Sequence, residues 1–300
     1  MFYGKRIYSS LFIAFYFIVQ LSISPVYAAG PTSAEYGVVL NLSGKQRMLS
    51  QKMSKEVLLV ALGIDLDNNL ANLTATSSLF DKTLKGLELG SAGLNLPPTS
   101  NKRILRQLEK INKLWSEFHP IIKVILNSKT VTPEQVASIA SNNLPLLKQM
   151  NKAVGLYEKD AQKGGLKAAP GLASTLNLSG KQRMLTQKMS KEFLLVAYGH
   201  ESEPNKLNLL ETYTLFERTL QGLRDGDETL GLPGTKSETI LQQLAVIEGL
   251  WLTFKPIVAN AVEQSGEIQV DQINSLAVNN LPLLKEMNRA VGMYEKEAAK

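Results

Sequence analysis

The chain has 300 residues, of which 44% are hydrophobic and 20% are charged, a composition typical of a globular protein with one or two domains. This excludes a disordered tail, a collagen and a multi-span membrane protein. Cysteine is absent and only His119 and His200 are present, which argues against disulfides, metal sites and bound cofactors, and a net charge of +6 is too small to indicate nucleic-acid binding.

Residues 1–28 predict a secretory signal peptide. Lys5 and Arg6 precede the apolar run Leu11–Val19, and Ala28 offers a cleavage site. A membrane anchor is the alternative, but this run has nine residues, whereas a spanning helix needs about 20. We identify no later segment that is long and apolar enough to span a membrane. We therefore expect a mature protein that is soluble and periplasmic.

The rest of the chain is a tandem duplication. Segments Leu40–Ala61 and Leu176–Ala197 are identical at 20 of 22 positions, at an offset of 136 residues. The segments that follow, Ile64–Lys85 and His200–Gln221, match at only eight of 22 positions. Two copies that diverged evenly would be equally similar throughout, so a particular constraint acts on the first segment.

Each copy predicts four helices, which in the first copy run over about 35–62, 68–89, 101–126 and 132–161. Apolar residues recur at helical spacing, and Thr132 followed by a proline is typical of a helix start. We expect Trp115 and its counterpart Trp251 to fill the core. Pro145 and its counterpart Pro282 lie within the fourth helices, and we expect them to kink or break these helices.

These elements predict an all-α fold of two tandem up-down four-helix bundles, residues 29–162 and 176–300, with a Gly-rich linker over 163–175. In an up-down bundle the last helix ends where the first began, so the second copy starts at the same end as the first. We therefore expect the bundles to pack side by side as a pseudo-symmetric pair. Their first helices would run parallel, with Arg47 level with Arg183.

One face of the first helix carries mostly small residues around Arg47, and an almost identical face surrounds Arg183. Small residues suit the close approach of another helix, which would bury the guanidinium, and a buried arginine needs a partner or an anion. This face has no Asp or Glu, so a counter-anion must come from elsewhere. The alternative is a solvated surface strip. On a helical wheel the residues within about 60° of Arg47 are Leu40, Ser43, Gly44, Ser50, Gln51, Ser54, Leu58 and Ala61.

The segment Asn41–Met53, which reads NLSGKQRMLSQKM, and its counterpart Asn177–Met189 resemble the signature of the PilJ-type sensory domain. That domain is the N-terminal ligand-sensing module of type IV pilus chemotaxis transducers. The string Leu146–Val154, repeated at Leu283–Val291, is similar to the fourth helix of the family. The family is related to the periplasmic sensor domain of nitrate/nitrite sensor kinases, whose first helix has a similar Gly-x-x-Arg-Met core.

The resemblance implies a four-helix bundle that pairs through its first helix, where the arginines of two protomers hold one nitrate. Carried over residue by residue, the arginine falls on Arg47 and Arg183, and the nearby glycine falls on Gly44 and Gly180. With the serines that precede the glycines, the candidate anion-binding residues are Arg47, Arg183, Gly44, Gly180, Ser43 and Ser179.

The leading hypothesis is a periplasmic binding module for a small oxyanion, nitrate or nitrite first, clasped between the first helices of the two repeats. We expect a membrane receptor or sensor kinase as its partner, because the sequence shows no kinase or methyl-accepting region. The alternative is an interaction protein whose first-helix face docks a chemotaxis transducer or a type IV pilus component without an anion. An enzyme is not expected, because the sequence shows no nucleophile with its base and no repeated pair of acids.

Overall fold

The computed structural model describes Met1 and residues 30–167 and 169–300. Apart from Met1, the predicted signal peptide and its cleavage site at Ala28 lie outside the described residues. The described part of the chain is built from α-helices, which confirms the all-α prediction. The helices are α1 Ser33–Ala61, α2 Leu66–Leu89, α3 Lys102–Ser128, α4 Pro133–Lys163, α5 Leu172–Tyr198, α6 Ser202–Asp225, α7 Glu238–Glu263 and α8 Val270–Ala298.

Two helix starts in the first copy follow local capping signals. Thr32 precedes α1, where its hydroxyl accepts a hydrogen bond from the Glu35 N–H and its own N–H donates to the Glu35 carboxylate. Thr132 and Gln135 form the same reciprocal capping box at the start of α4, with Pro133 as the first helical residue. The predicted start of the fourth helix is therefore confirmed.

Pro145 and Pro282 lie inside continuous helices, so the expectation that they could break α4 and α8 is wrong. A proline removes one backbone hydrogen bond and crowds the preceding turn. Here the adjacent turn is anchored, because Asn143 and Asn280 are fully buried and donate hydrogen bonds to the first helix of their own copy. We attribute the continuity of both helices to this packing, which outweighs the local cost of the proline.

Each copy forms a four-helix bundle. In the first copy α1 packs on α2 and α4, and α3 packs on α2 and α4; the helices α5 to α8 repeat this arrangement. Trp115 lies in the core with its ring centroid 4.3 Å from that of Phe80, and Trp251 lies 4.5 Å from Phe216. The prediction that the tryptophans fill the core is therefore confirmed.

The two bundles pack side by side through α1 and α5, the helix pair with the most extensive contact. Asn280 of α8 accepts a hydrogen bond from Lys55 of α1 and donates one to the Thr186 carbonyl of α5. Residues 55 and 186 therefore lie at a similar level, as do Gly44 and Gly180, which makes the two first helices parallel. The predicted pseudo-symmetric pair is confirmed.

Helix α7 corrects the expectation that no later segment could span a membrane. By length and composition it qualifies, with a mean hydropathy of 1.3 over 18 residues. One face packs into the second bundle through residues such as Trp251, whereas Val246 and Leu252 on the outer face are 50% and 74% exposed. The high hydropathy arises because both faces of α7 are apolar; the matching outer positions of α3 are Lys110 and Ser116.

Candidate functional site

The first helices of the two copies meet at Gly44 and Gly180. A Cβ atom added to Gly44 would lie 3.3 Å from Arg47 Nη2 and 3.6 Å from Arg183 Nη2. A Cβ atom added to Gly180 would lie 3.4 Å from Arg183 Nη2 and 3.5 Å from Arg47 Nη2. Glycine at both positions therefore leaves the space that the ends of the two guanidinium groups occupy.

Arg47 and Arg183 are buried, each with 2% of its surface exposed, so the alternative that Arg47 lies in a solvated strip is wrong. Two unit charges about 6 Å apart repel by about 3 kcal/mol at an effective dielectric constant of about 20. Burial lowers the pKa of Arg47 to about 10, and burial together with the charge of Arg47 lowers the pKa of Arg183 to about 9. Both side chains therefore remain cationic at neutral pH.

Each guanidinium is held by the backbone of the other copy. Arg47 Nη2 donates a hydrogen bond to the Asn177 carbonyl at 2.9 Å, and Arg183 Nη2 donates to the Asn41 carbonyl at the same distance. Arg183 Nη1 also donates to Asn41 Oδ1 at 2.8 Å. The site is consequently completed by both copies, and neither copy alone provides the full set of contacts.

The fourth helices supply a further layer of polar groups. The side chains of Asn151 and Asn288 each accept a 3.3 Å hydrogen bond from the arginine of their own copy. Glu158 accepts a hydrogen bond from Asn177 at 2.6 Å, and Glu295 accepts one from Asn41. Along residues 30–167 and 169–300, neither arginine forms an ion pair within 4.0 Å. The carboxylates therefore act on the arginines at a distance, through the asparagines.

Part of the hydrogen-bonding capacity of the arginine pair is unused. The Nε atoms of Arg47 and Arg183 are buried without a partner in the described part of the chain. Because a guanidinium has five N–H donors, Arg47, which makes two hydrogen bonds, has donors to spare. Two guanidinium cations with unused N–H donors can bind a small anion. The described ranges contain no group of three or more acidic or histidine side chains that could hold a metal ion.

The structure brings four of the six predicted site residues together: the two arginines and the two glycines. Ser43 and Ser179 are buried nearby, but their hydroxyls donate to carbonyls of their own helices, at 3.3 Å to Leu40 and 3.2 Å to Leu176. The serines therefore help the helices to pack closely and make no hydrogen bond to either guanidinium.

Sequence reasoning missed the residues of the fourth helices that surround the arginines. Asn151 and Glu158 recur as Asn288 and Glu295 at an offset of 137 residues, so a search for repeated polar residues would have found them. Nothing in the sequence alone places them against the first helix. Their role emerges only when α4 and α8 pack on α1 and α5.

Comparisons with known proteins agree with this architecture. A family model described as the N-terminal domain of type IV pili methyl-accepting chemotaxis transducers matches residues 33–141 and again residues 166–276. The methyl-accepting chemotaxis protein McpN of Pseudomonas aeruginosa is 26% identical over 122 residues, which cover 41% of this chain and 22% of that protein. This chain thus matches about a fifth of the length of that relative. The chain belongs to the family of these transducer N-terminal domains, the PilJ family, and carries two copies of the domain.

Proposed function

We propose that this chain is a soluble periplasmic module that binds one small oxyanion, nitrate or nitrite first, between the first helices of its two repeats. Family membership makes it a sensory module of the chemotaxis-transducer type, and the sensory domains of these transducers are periplasmic. The observation that carries the proposal is the pair of buried guanidinium groups, which share one space beside two glycines and have no ion-pair partner among the described residues.

The chemistry of the arginine pair favours a planar oxyanion. A monovalent anion between Arg47 and Arg183 replaces a repulsion between two cations with two attractions. Guanidinium groups are planar and donate parallel hydrogen bonds, which match the oxygens of nitrate or nitrite better than they match spherical chloride. The unused Nε–H groups provide donors for such an anion without loss of the existing hydrogen bonds to the asparagines.

Hydrogen bonds connect the proposed anion site to the fourth helices of both copies. Each arginine contacts α1, α5 and the fourth helix of its own copy through the asparagine and glutamate network. An anion that draws the guanidinium groups inward pulls on Asn151 and Asn288 of the fourth helices, which remain hydrogen-bonded to the arginines. We propose that a membrane receptor or sensor kinase detects the resulting shift of the fourth helices.

The test is a melting-temperature measurement on the purified mature chain with nitrate, nitrite, sulfate and phosphate, paired with calorimetric titration. At concentrations about 100-fold above the dissociation constant, linkage gives about 2.7 kcal/mol of stabilisation, which raises the melting temperature by several degrees. We expect Arg47→Ala with Arg183→Ala to abolish the nitrate response. Lys45→Ala should leave most of it.

Two controls separate loss of the site from loss of charge or of folding. Arg218→Ala with Arg224→Ala also removes two positive charges, but from the surface of the protein, and should leave the nitrate response intact. Arg47→Lys with Arg183→Lys keeps the buried charges but lacks the planar donors, so the response should shrink even if this variant folds normally. A folded double alanine variant with the wild-type nitrate response would overturn the proposal.

The second candidate function is a periplasmic interaction protein that docks a chemotaxis transducer or a type IV pilus component without an anion. The exposed apolar face of α7, with Val246 and Leu252, favours it, because the matching positions of α3 are polar. The first-helix face, which the sequence suggested for docking, is buried between the repeats and is unavailable for this purpose. Docking without a nitrate response in the wild-type chain would favour this function.

A further inference from the structure

A second polar site lies beyond the arginine pair, in two cavities at matching positions of the two repeats. The first cavity, of about 340 Å³, lies among the end of α1, the start of α2 and α8 of the other copy. The second, of about 360 Å³, lies among the end of α5, the start of α6 and α4. Both volumes are near the lower end of the range for small-molecule sites, about 300–1,000 Å³. Each cavity is thus built by both copies.

The polar residues of these cavities are retained between copies whose second helices have diverged. Lys55 and Glu56 of the first cavity recur as Lys191 and Glu192 in the second. Asn69 and Asn72 recur as Asn205 and Asn208, although only eight of 22 positions match in this region. On the first helix of the first copy the anion site extends only to Arg47, so it does not explain why the identity of the first helices continues through these residues.

Asn72 is the informative member of this set. The other seven matching positions of α2 are buried or half-buried, and most of them contribute to the core, whereas Asn72 is exposed. Neither its side chain nor that of Asn208 makes a hydrogen bond within residues 30–167 and 169–300. Asn208 is half-buried, so it is in the first copy that packing does not account for an asparagine at this position.

The buried charges beside each cavity are incompletely satisfied. Glu56 and Glu192 are each 1% exposed, and their Oε2 atoms have no hydrogen-bond partner among the described residues. Lys55 Nζ, which has three donors, makes one hydrogen bond in this part of the chain, to Asn280 Oδ1 at 3.0 Å. Each cavity wall thus carries a lysine with unused donors, and an unpartnered carboxylate oxygen is buried behind that wall.

The charges of the first cavity balance, which restricts the class of ligand. Lys52 pairs with Glu56, and the lining as a whole holds two cations, Lys52 and Lys55, and two carboxylates, Glu56 and Asp65. A ligand with a net charge would be repelled by the cavity residues of the same sign. A dipolar molecule can place each of its charges beside a residue of opposite sign. Leu59, together with Ala277, Val278 and Leu281, provides an aliphatic wall.

We propose that the two cavities bind small α-amino acids with aliphatic side chains. The ammonium group of the ligand donates to the Oδ1 atom of Asn72 or Asn208 and lies beside the carboxylate of Asp65 or Glu201, which lines the same cavity. The carboxylate accepts from the buried lysine and from the asparagine amide, and the aliphatic side chain packs on the leucine wall. This site is distinct from the arginine pair and does not depend on oxyanion binding.

The test is a titration of the purified full chain with L-leucine, L-valine and L-alanine, followed by calorimetry and by saturation-transfer NMR on the ligand. We expect saturable binding with two sites per chain for at least one of them. Isovalerate, which lacks the ammonium group, and isopentylamine, which lacks the carboxylate, should bind at least tenfold more weakly. Equal binding of either half-molecule overturns the proposal, as does the absence of saturable binding of all three amino acids.

Matched variants locate the site. Asn72→Ala with Asn208→Ala removes one exposed and one half-buried side chain and should weaken amino-acid binding roughly tenfold or more. Ser78→Ala with Thr214→Ala, at exposed positions outside the cavities, should leave binding unchanged. The double arginine-to-alanine variant should lose nitrate binding and keep amino-acid binding, which separates this proposal from the previous one. Unchanged amino-acid affinity in the double asparagine variant overturns the proposal.

Discussion

The first and second helices of each copy differ in how many neighbours they have. Helix α1 packs on α2 and α4 in its own bundle and on α5 and α8 of the other copy, whereas the main packing partners of α2 within the described ranges are α1 and α3. The first-helix segments are identical at 20 of 22 positions and the second-helix segments at eight. A helix placed between two bundles is constrained by packing at nearly every position, so the identity of its apolar residues does not require a ligand.

The identity of the charged residues of the first helix has a different cause from the identity of its apolar residues. Arg47, Lys55 and Glu56 are at most 4% exposed, and burying such groups is costly where an apolar residue of similar size would pack without that cost. Packing therefore explains why apolar positions are retained, but it does not explain retained charges. A functional constraint on the first helix therefore concerns these few charged positions rather than the whole identical segment.

The largest difference is expected between core positions of the first helix and exposed positions of the second. Phe193 on α5 is fully buried, so Phe193→Ala should lower the free energy of unfolding by about 3–5 kcal/mol. Leu207 on α6 is 64% exposed, so Leu207→Ala should change it by less than about 0.5 kcal/mol. Urea denaturation measures both values. Similar losses in the two variants would contradict the idea that packing on both sides constrains the first helix.

A smaller effect should appear in the pH dependence of stability. Burial lowers the pKa of Lys55 and of Lys191 to about 8, from an ordinary value of 10.5. Between these pH values the unfolded chain binds more protons than the folded chain, so the free energy of unfolding should rise with pH. From pH 7 to pH 10 the rise should be about 2–3 kcal/mol for each lysine.

Denaturation curves at several pH values measure this rise. Lys55→Met with Lys191→Met should remove most of the pH dependence, whereas the exposed pair Lys110→Met with Lys113→Met should leave it unchanged. A stability that falls steadily from pH 7 to pH 10 in the wild-type chain would show that these lysines are not held in a costly charged state.

The smallest effect is expected on the outer face of α7. Leu252 occupies the position of Ser116 in the first copy and is 74% exposed, so Leu252→Ser should change the free energy of unfolding by less than about 0.5 kcal/mol. Thermal and urea unfolding of the two proteins should nearly coincide. A loss above about 1 kcal/mol would indicate that this leucine is covered in solution, which would favour the docking function.

Much of the fold could be predicted because its signals are local or repeated. The capping residues Thr32 and Thr132 lie within four residues of the helices that they start, and the offset of 136 residues reveals the two copies. The continuity of α4 and α8 could not be predicted, because it depends on Asn143 and Asn280 contacting first helices about 90 residues earlier in the chain.

The candidate site was predictable only in part, because some of its contacts join residues that are far apart in the chain. Arg47 and Arg183 stand out in the sequence because a cation lies at the centre of a face of small residues. The hydrogen bonds of these arginines depend on how two bundles meet. Asn41 serves the arginine of the other copy, and Glu295 reaches that arginine only through Asn41. No spacing within one helix encodes such a crossed arrangement.

The covalent connection between the two repeats has a consequence for the arginine pair at low protein concentration. Helix α4 ends at Lys163 and α5 begins at Leu172, so eight residues join the copies. A short tether of this kind gives each half an effective concentration of its partner in the millimolar range. The first helices therefore remain paired upon dilution, and the arginine pair stays assembled at any protein concentration. Each half can also acquire its own substitutions without losing its partner.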